Sequence, residues 1–375
     1  MKVCVDIQSA VTQRAGIGRY TRALVHHLGA TAGDDRLELF YFDFKRRGAA
    51  FDAPGAMHRA VRWCPGAAAQ ACWKYVGWPP FEWFAGKADL YHFPNFILPP
   101  LRTTRAVVTI HDASFVRFPQ FAEEKNLAYL SARIRDTVRR ARAILTISHF
   151  SAGEICSSLD VEPERVFAVY PGIGPEFRRP DEDRLRADLT TLGLMDAPYL
   201  LTVGTLEPRK NIPLAIDVFE RMPWFHGQLI VAGMKGWKCR PTLERMHNSP
   251  RAADIRHIEY VPDAQLPSLY AGATLFLFPS FYEGFGFPPL EAMACGTPVL
   301  SSAGGSLPEV LGSGAVVLDS MDPGRWATEA EQLITDPARR NALEQRGRIQ
   351  ASSYSWTEAA RKTWNVYRRV VERGD

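Results

Sequence analysis

A chain of 375 residues, 46% hydrophobic and 23% charged, is longer than one core usually organises. Two domains are the starting expectation, and a disordered chain is excluded. The 28 Gly and 27 Pro follow no period, which excludes collagen-like and low-complexity chains. The formal net charge of +4 is uneven, with 22 Lys/Arg against 16 Asp/Glu in residues 1–170 and 23 against 25 in residues 171–375. The basic excess of the first half suits an anionic substrate or a membrane surface, and equally a solvated arginine-rich surface.

No apolar run reaches the ~20 residues needed to cross a bilayer. The N-terminus turns polar after Ile7, short of a signal-peptide core, so a cytoplasmic location is expected. Six cysteines without a CxxC pair read as reduced, buried thiols rather than disulfides or a zinc site.

Along the chain, short apolar runs predict strands at Val3–Ile7, Leu37–Phe42, Leu90–Phe93, Ala106–Ile110, Ala143–Ile147 and Val166–Val169. Helical patterns lie between them at Tyr20–Leu28, Glu123–Arg140 and Ser151–Leu159. Continuous rather than alternating apolar runs suit a parallel sheet covered on both faces, hence a doubly wound α/β domain. Pro171-Gly172-Ile173-Gly174-Pro175 and the polar stretch Arg178–Asp183 then read as a linker.

A second series follows at Tyr199–Val203, Leu229–Ala232, Ile255–Tyr260, Leu275–Phe278, Pro298–Ser301 and Ala315–Leu318. The expectation is two Rossmann-like domains, 1–175 and 176–355, facing across a cleft at the carboxyl ends of their sheets. The segment 356–375, with apolar residues at helical spacing, is expected as a helix that packs back on the first domain.

Four motifs carry chemistry. Gly16-Ile17-Gly18 opens a helix after the first strand; it faces a phosphate or is a plain turn. His111-Asp112 follows a strand end, where His111 can hydrogen-bond a sugar hydroxyl or help move a proton, or else is a structural histidine. In Gly204-Thr205-Leu206-Glu207-Pro208-Arg209-Lys210-Asn211, two adjacent cations at a βα turn can neutralise a diphosphate without a metal, and Asn211 can cap the next helix. The most specific is Glu283-Gly284-Phe285-Gly286, followed by Glu291 on the next helix. There the amides of Phe285 and Gly286 would face the cleft, and the carboxylates can hold a sugar and a ribose diol; exposed paired helix glutamates are the alternative.

The Glu283-to-Glu291 spacing resembles the E-x7-E signature of the retaining glycosyltransferases of family 4, which have the GT-B fold. The Gly16–Gly18 loop, His111-Asp112, Glu207–Asn211, Val231-Ala232-Gly233 and Ser306–Val310 fall in that family's order, over essentially the whole chain. The wording is similar to that of bacterial mannosyltransferases of polysaccharide and O-antigen assembly. The resemblance implies that Arg209 and Lys210 hold the donor diphosphate and Glu291 the ribose. It implies too that Glu283 faces the donor sugar with the amides of Phe285 and Gly286. His111 would lie near the reacting carbon, and Gly16, Gly18 and Gly204 would line the phosphates. Many family members carry Arg where this chain has Thr205, so Arg209 is expected to supply that guanidinium.

The reaction so implied is metal-independent, retaining transfer of a hexose, mannose from GDP-mannose first, to a glycan or lipid-linked glycan. Asp181-Glu182-Asp183 reads as the acidic start of a helix rather than a metal triplet. The alternatives are GDP-rhamnose or a UDP-sugar as donor, a non-catalytic sugar-nucleotide-binding partner, and a Rossmann dehydrogenase, which the incomplete glycine fingerprint disfavours. No nucleic-acid module is readable. The aromatic stretch Cys72–Phe84 suits a membrane interface or a lipid-linked acceptor, or else packs inside the first domain.

Overall fold

Each apolar run becomes a strand because its side chains can be buried on both faces of a sheet. In the computed structural model, which describes every residue except 14–15, 50, 52, 196 and 373–375, the first sheet contains β1 (Lys2–Asp6), β2 (Arg36–Phe42), β3 (Met57–Val61), β4 (Leu90–Phe93), β5 (Ala106–Thr109), β6 (Ala143–Thr146) and β7 (Val166–Ala168). They lie in the order β3-β2-β1-β4-β5-β6-β7, and all neighbours are parallel. Val3 stands opposite Leu37 on one side and Leu90 on the other, which fixes the register.

The second sheet contains β8 (Tyr199–Val203), β9 (Gln228–Ala232), β10 (Ile255–Ile258), β11 (Leu275–Phe278), β12 (Val299–Ser302) and β13 (Val316–Leu318). Its order, β10-β9-β8-β11-β12-β13, is again wholly parallel. Leu275, Phe276 and Leu277 of its central strand are fully buried, and each such side chain contributes about 1.5–3 kcal/mol. In both sheets the strand order reverses beside the first strand, which opens a crevice beyond the carboxyl ends.

Contacts divide the chain into two units, one of Met1–Gly172 with the chain from Ser355 on, the other of Ile173–Tyr354. The helix Trp356–Glu372 belongs to the first. Its Trp364 indole donates to the Leu28 carbonyl at 3.1 Å, and its Tyr367 hydroxyl meets His92 Nδ1 at 2.6 Å. Helix starts follow the capping residues: Glu123, Ser148 and Asp181 each accept a backbone N–H from the first turn that follows. Asp181-Glu182-Asp183 thus forms a cap and first turn.

The strand expected at Ile255–Tyr260 ends at Ile258, and β3 is an edge strand that carries no apolar run. All six cysteines are free thiols, and burial raises those of Cys4 and Cys295. Among the described residues no helix is long and apolar enough to cross a membrane.

Candidate active site

In the second unit, the loops after β8, β11 and β12 meet at the point where the strand order reverses. Gly204 ends β8 with φ +153°, a value that suits glycine, and a Cβ there would lie 3.3 Å from Lys210 Cε. The Lys210 side chain therefore lies directly over the strand end. A one-turn helix, Pro208–Lys210, carries both cations. The Arg209 carbonyl accepts the Phe281 N–H at 2.9 Å, which ties this loop to the one after β11. The Glu283 carbonyl in turn accepts from the Ser306 N–H (2.9 Å) and hydroxyl (3.1 Å). Gly305, at φ +68°, lets the third loop approach, since a Cβ would stand 2.3 Å from the Glu283 carbonyl oxygen.

Four charged side chains converge here. Lys210 Nζ lies 2.6 Å from Glu283 Oε1, and an Arg209 guanidinium nitrogen lies 2.9 Å from Glu283 Oε2. Arg209 also donates to the Tyr282 carbonyl at 2.6 Å and to Glu207 Oε1. Glu207 and Glu283 are buried. Burial alone would raise the Glu283 carboxyl, but Arg209 and Lys210 outweigh it and hold the group well below the usual carboxylate range. Burial draws Lys210 below a normal lysine against the pull of Glu283.

The cations are therefore half-buried rather than free in solvent. Each is tied to a carboxylate, and the four formal charges sum to zero. An ammonium has three donors, of which Glu283 takes one. Glu207 is the residue that sequence reasoning left without a role. Its second oxygen, Oε2, is buried without a hydrogen-bond partner, and its position two residues before Arg209 in a βα turn was the available signal.

One local expectation is corrected. Asn211 stands at the start of the helix Ile212–Glu220 but makes no side-chain cap; at φ +49° its amide turns away, to Met321 Sδ at 3.8 Å. The helix after Gly286 runs Phe287–Ala294. Pro288 and Pro289 remove two of its four initial N–H groups, so it is a poorer anion site than an ordinary helix start. Glu283 precedes that helix and Glu291 lies on it, as their places in the motif imply. Glu291, buried, accepts the Tyr270 hydroxyl at 2.9 Å. Phe285, also buried, packs its ring against Phe287 and Tyr354, and a Cβ on Gly286 (φ +99°) would meet Leu307 at 2.7 Å.

His111, Gly16 and Gly18 belong to the first unit. A short helix, Gln8–Thr12, separates β1 from Gly16, so the glycine loop does not follow the strand directly. Gly16 caps the helix Ile17–Ala30 at φ +57° with open space around it. Gly18 serves packing: a Cβ would lie 2.1 Å from the Gln13 carbonyl oxygen. His111, two residues past β5, is buried, with Nε2 2.9 Å from the Pro94 carbonyl and its ring edge-on to Tyr20 at 4.8 Å. A carbonyl only accepts, so Nε2 carries the proton and Nδ1 is left as an acceptor. Burial lowers the His111 pKa, which favours this neutral form. Behind it stands His92, also outside the expected set, bound through Nε2 to the Thr109 hydroxyl at 2.8 Å and held neutral by burial.

Both units carry a parallel, Rossmann-like sheet, and the second holds a paired cation–carboxylate cluster at its switch point. Residues 14–177 match the family described as Glycosyltransferase Family 4, and residues 191–350 match Glycosyl transferases group 1. O-antigen chain mannosyltransferase B of Escherichia coli is 35% identical over 285 residues, which is 75% of this chain and 74% of that protein. Sucrose-phosphate synthase from Thermosynechococcus elongatus superposes with a TM-score of 0.79 at 18% identity, covering 100% of both chains. The Anabaena protein HepE, in complex with UDP and glucose, superposes at 0.72 and 16% identity over 98% of this chain and 99% of its own. This chain belongs to glycosyltransferase family 4 and has the GT-B fold. It is a glycosyltransferase with mannosyltransferase relatives.

Proposed function

We propose that the protein transfers mannose from GDP-mannose to a glycan or lipid-linked glycan in the cytoplasm, with retention and without a divalent metal. The observation that carries this reading is the cluster of Arg209, Lys210 and Glu283 at the end of β8. As the bond between the anomeric carbon and the diphosphate oxygen breaks, negative charge grows on that oxygen. Lys210 and Arg209 are fixed where they can stabilise it, in a buried site where such contacts act strongly. Glu291 would hold the ribose diol.

Glu283 has both oxygens engaged by cations, so it positions rather than attacks. The acceptor hydroxyl then approaches on the face the diphosphate leaves. Its oxygen bonds to the anomeric carbon, and its proton passes to the departing phosphate oxygen. His111 Nδ1 is suited to accept a hydrogen bond from a sugar hydroxyl. The mannose assignment rests on the E. coli relative, whose name specifies a mannosyltransferase.

The test is turnover of GDP-mannose with a mannose-terminated acceptor in EDTA, with the product's anomeric configuration read by NMR. An α-linked product, matching the donor, is expected. Transfer from UDP-glucose alone would overturn the donor, an inverted product the mechanism, and binding without transfer to any acceptor the catalytic reading.

A further inference from the structure

The first unit buries a chain of polar side chains that the transfer chemistry does not use. It runs from the helix Trp356–Glu372 to the strand that leads into His111. The Tyr367 hydroxyl meets His92 Nδ1 at 2.6 Å, and His92 Nε2 meets the Thr109 hydroxyl at 2.8 Å. All three side chains are fully buried. A neutral imidazole has one donor and one acceptor, and here both are engaged, so the His92 ring is held at each end. Burial, and after it the neighbouring His111, keep His92 neutral.

The place of this chain in the sheet gives it a task. His92 lies on β4 and Thr109 on β5. Two residues further along, the same cross-strand step recurs, where His111 Nε2 donates to the Pro94 carbonyl at 2.9 Å. The two bonds are successive rungs between neighbouring strands, and the lower one sets where the upper one forms. Thr109 ties in the next turn as well: its carbonyl accepts the Phe96 N–H at 3.0 Å, and the Phe96 ring packs on His111 at 5.5 Å. Pro94 in turn decides which His111 nitrogen carries the proton. The same helix reaches His111 by a second path. Trp356 packs edge-on against Tyr20 at 5.6 Å, and Tyr20 edge-on against His111 at 4.8 Å.

We infer that Tyr367, His92 and Thr109 are positioning residues for His111: through them the helix Trp356–Glu372 holds the His111 ring with Nδ1 presented as an acceptor. The inference rests on the reading of His111 as the group that accepts a hydrogen bond from a sugar hydroxyl. The three residues act through His111 and touch no substrate themselves.

The experiment uses the full chain with Tyr367→Phe and, separately, Thr109→Val, which keep the side-chain shape and delete one hydroxyl each. NMR of protein carrying isotope-labelled histidine nitrogens reads the tautomer of His111, whose signals are assigned by their loss in His111→Ala. The wild type should show the proton on Nε2, and both variants a mixture of tautomers. In both, kcat should fall about 5- to 10-fold, while KM for the donor and GDP affinity stay unchanged. Neither variant should lower kcat further in a His111→Ala background. Circular dichroism and GDP binding check that each variant folds. Unaltered His111 signals in both variants would overturn the inference, even with a lower kcat. So would a loss of kcat that persists in the His111→Ala background, which would make the chain a structural feature only. Full activity of His111→Ala would instead refute the reading of His111, and with it the role in transfer, a result on which the NMR signals do not depend.

Discussion

The two Rossmann-like units share a strand order and differ in what they bury beyond the strand ends. The second holds ionised groups there, cancelled in pairs: Arg209 and Lys210 against Glu207 and Glu283. The first buries neutral imidazoles, His111 on a carbonyl and His92 between Thr109 and Tyr367. One scaffold thus supports two electrostatic designs. A charged leaving group needs fixed charges at the switch point, and these survive burial only when paired. A neutral hydroxyl group needs an oriented acceptor, which a buried imidazole supplies without a counter-ion.

The largest effect should come from Lys210→Ala. Losing a fixed cation at the leaving group should lower kcat/KM by about 100- to 1,000-fold, and GDP affinity should fall with it. Full activity would mean that Arg209 alone suffices. His111→Ala should lower kcat by about 100-fold while GDP affinity in the second unit stays unchanged; a parallel loss of nucleotide binding would contradict the division of labour.

Acid should separate the units. His92 has its pKa lowered from 6.5 to about 3 by burial. The unfolded chain therefore binds a proton that the fold resists, and stability is lost as pH falls from 6.5 toward 3. Asp6, raised by burial from 3.8 to about 6, acts in the opposite sense between those values and offsets part of the loss. The Glu283 pKa is depressed, so its contribution persists above the ordinary 4.5 and is lost only as pH falls below it. Hydrogen exchange resolved by peptide should show the first unit softening before the second. His92→Asn should flatten the decline between pH 6.5 and 3, and an unaltered profile would remove His92 as its source.

The smallest effect is purely local. Gly18→Ala should cost the first unit about 1–3 kcal/mol through the clash with Gln13, with GDP binding unchanged.

Much of this was legible in the residues themselves. The continuous runs Leu275–Phe278 and Leu229–Ala232, short and spaced between helical patterns, suit buried strands, and two such series imply two sheets. The edge strand Met57–Val61 was not legible, because its Met57, His58 and Arg59 face solvent and leave no apolar run. The five-residue helix Gln8–Thr12 is too short to show a period. At the site, Arg209, Lys210 and Glu283 stood out by type and spacing. Their pairing did not, because it depends on the loops after β8 and β11, strands far apart in the chain, being brought together. The role of Gly305 likewise exists only once β12 lies beside β11.

The central claim is that the paired cations of the second unit take the donor diphosphate without a metal. The most direct measurement is thermal stabilisation of the wild type and of Lys210→Ala by GDP, UDP and GDP-mannose in EDTA. GDP and GDP-mannose at 100 times their dissociation constant should stabilise the wild type by ~2.7 kcal/mol, with most of the shift lost in Lys210→Ala. Stabilisation that appears only when Mg2+ is restored, or that persists undiminished without Lys210, would contradict it.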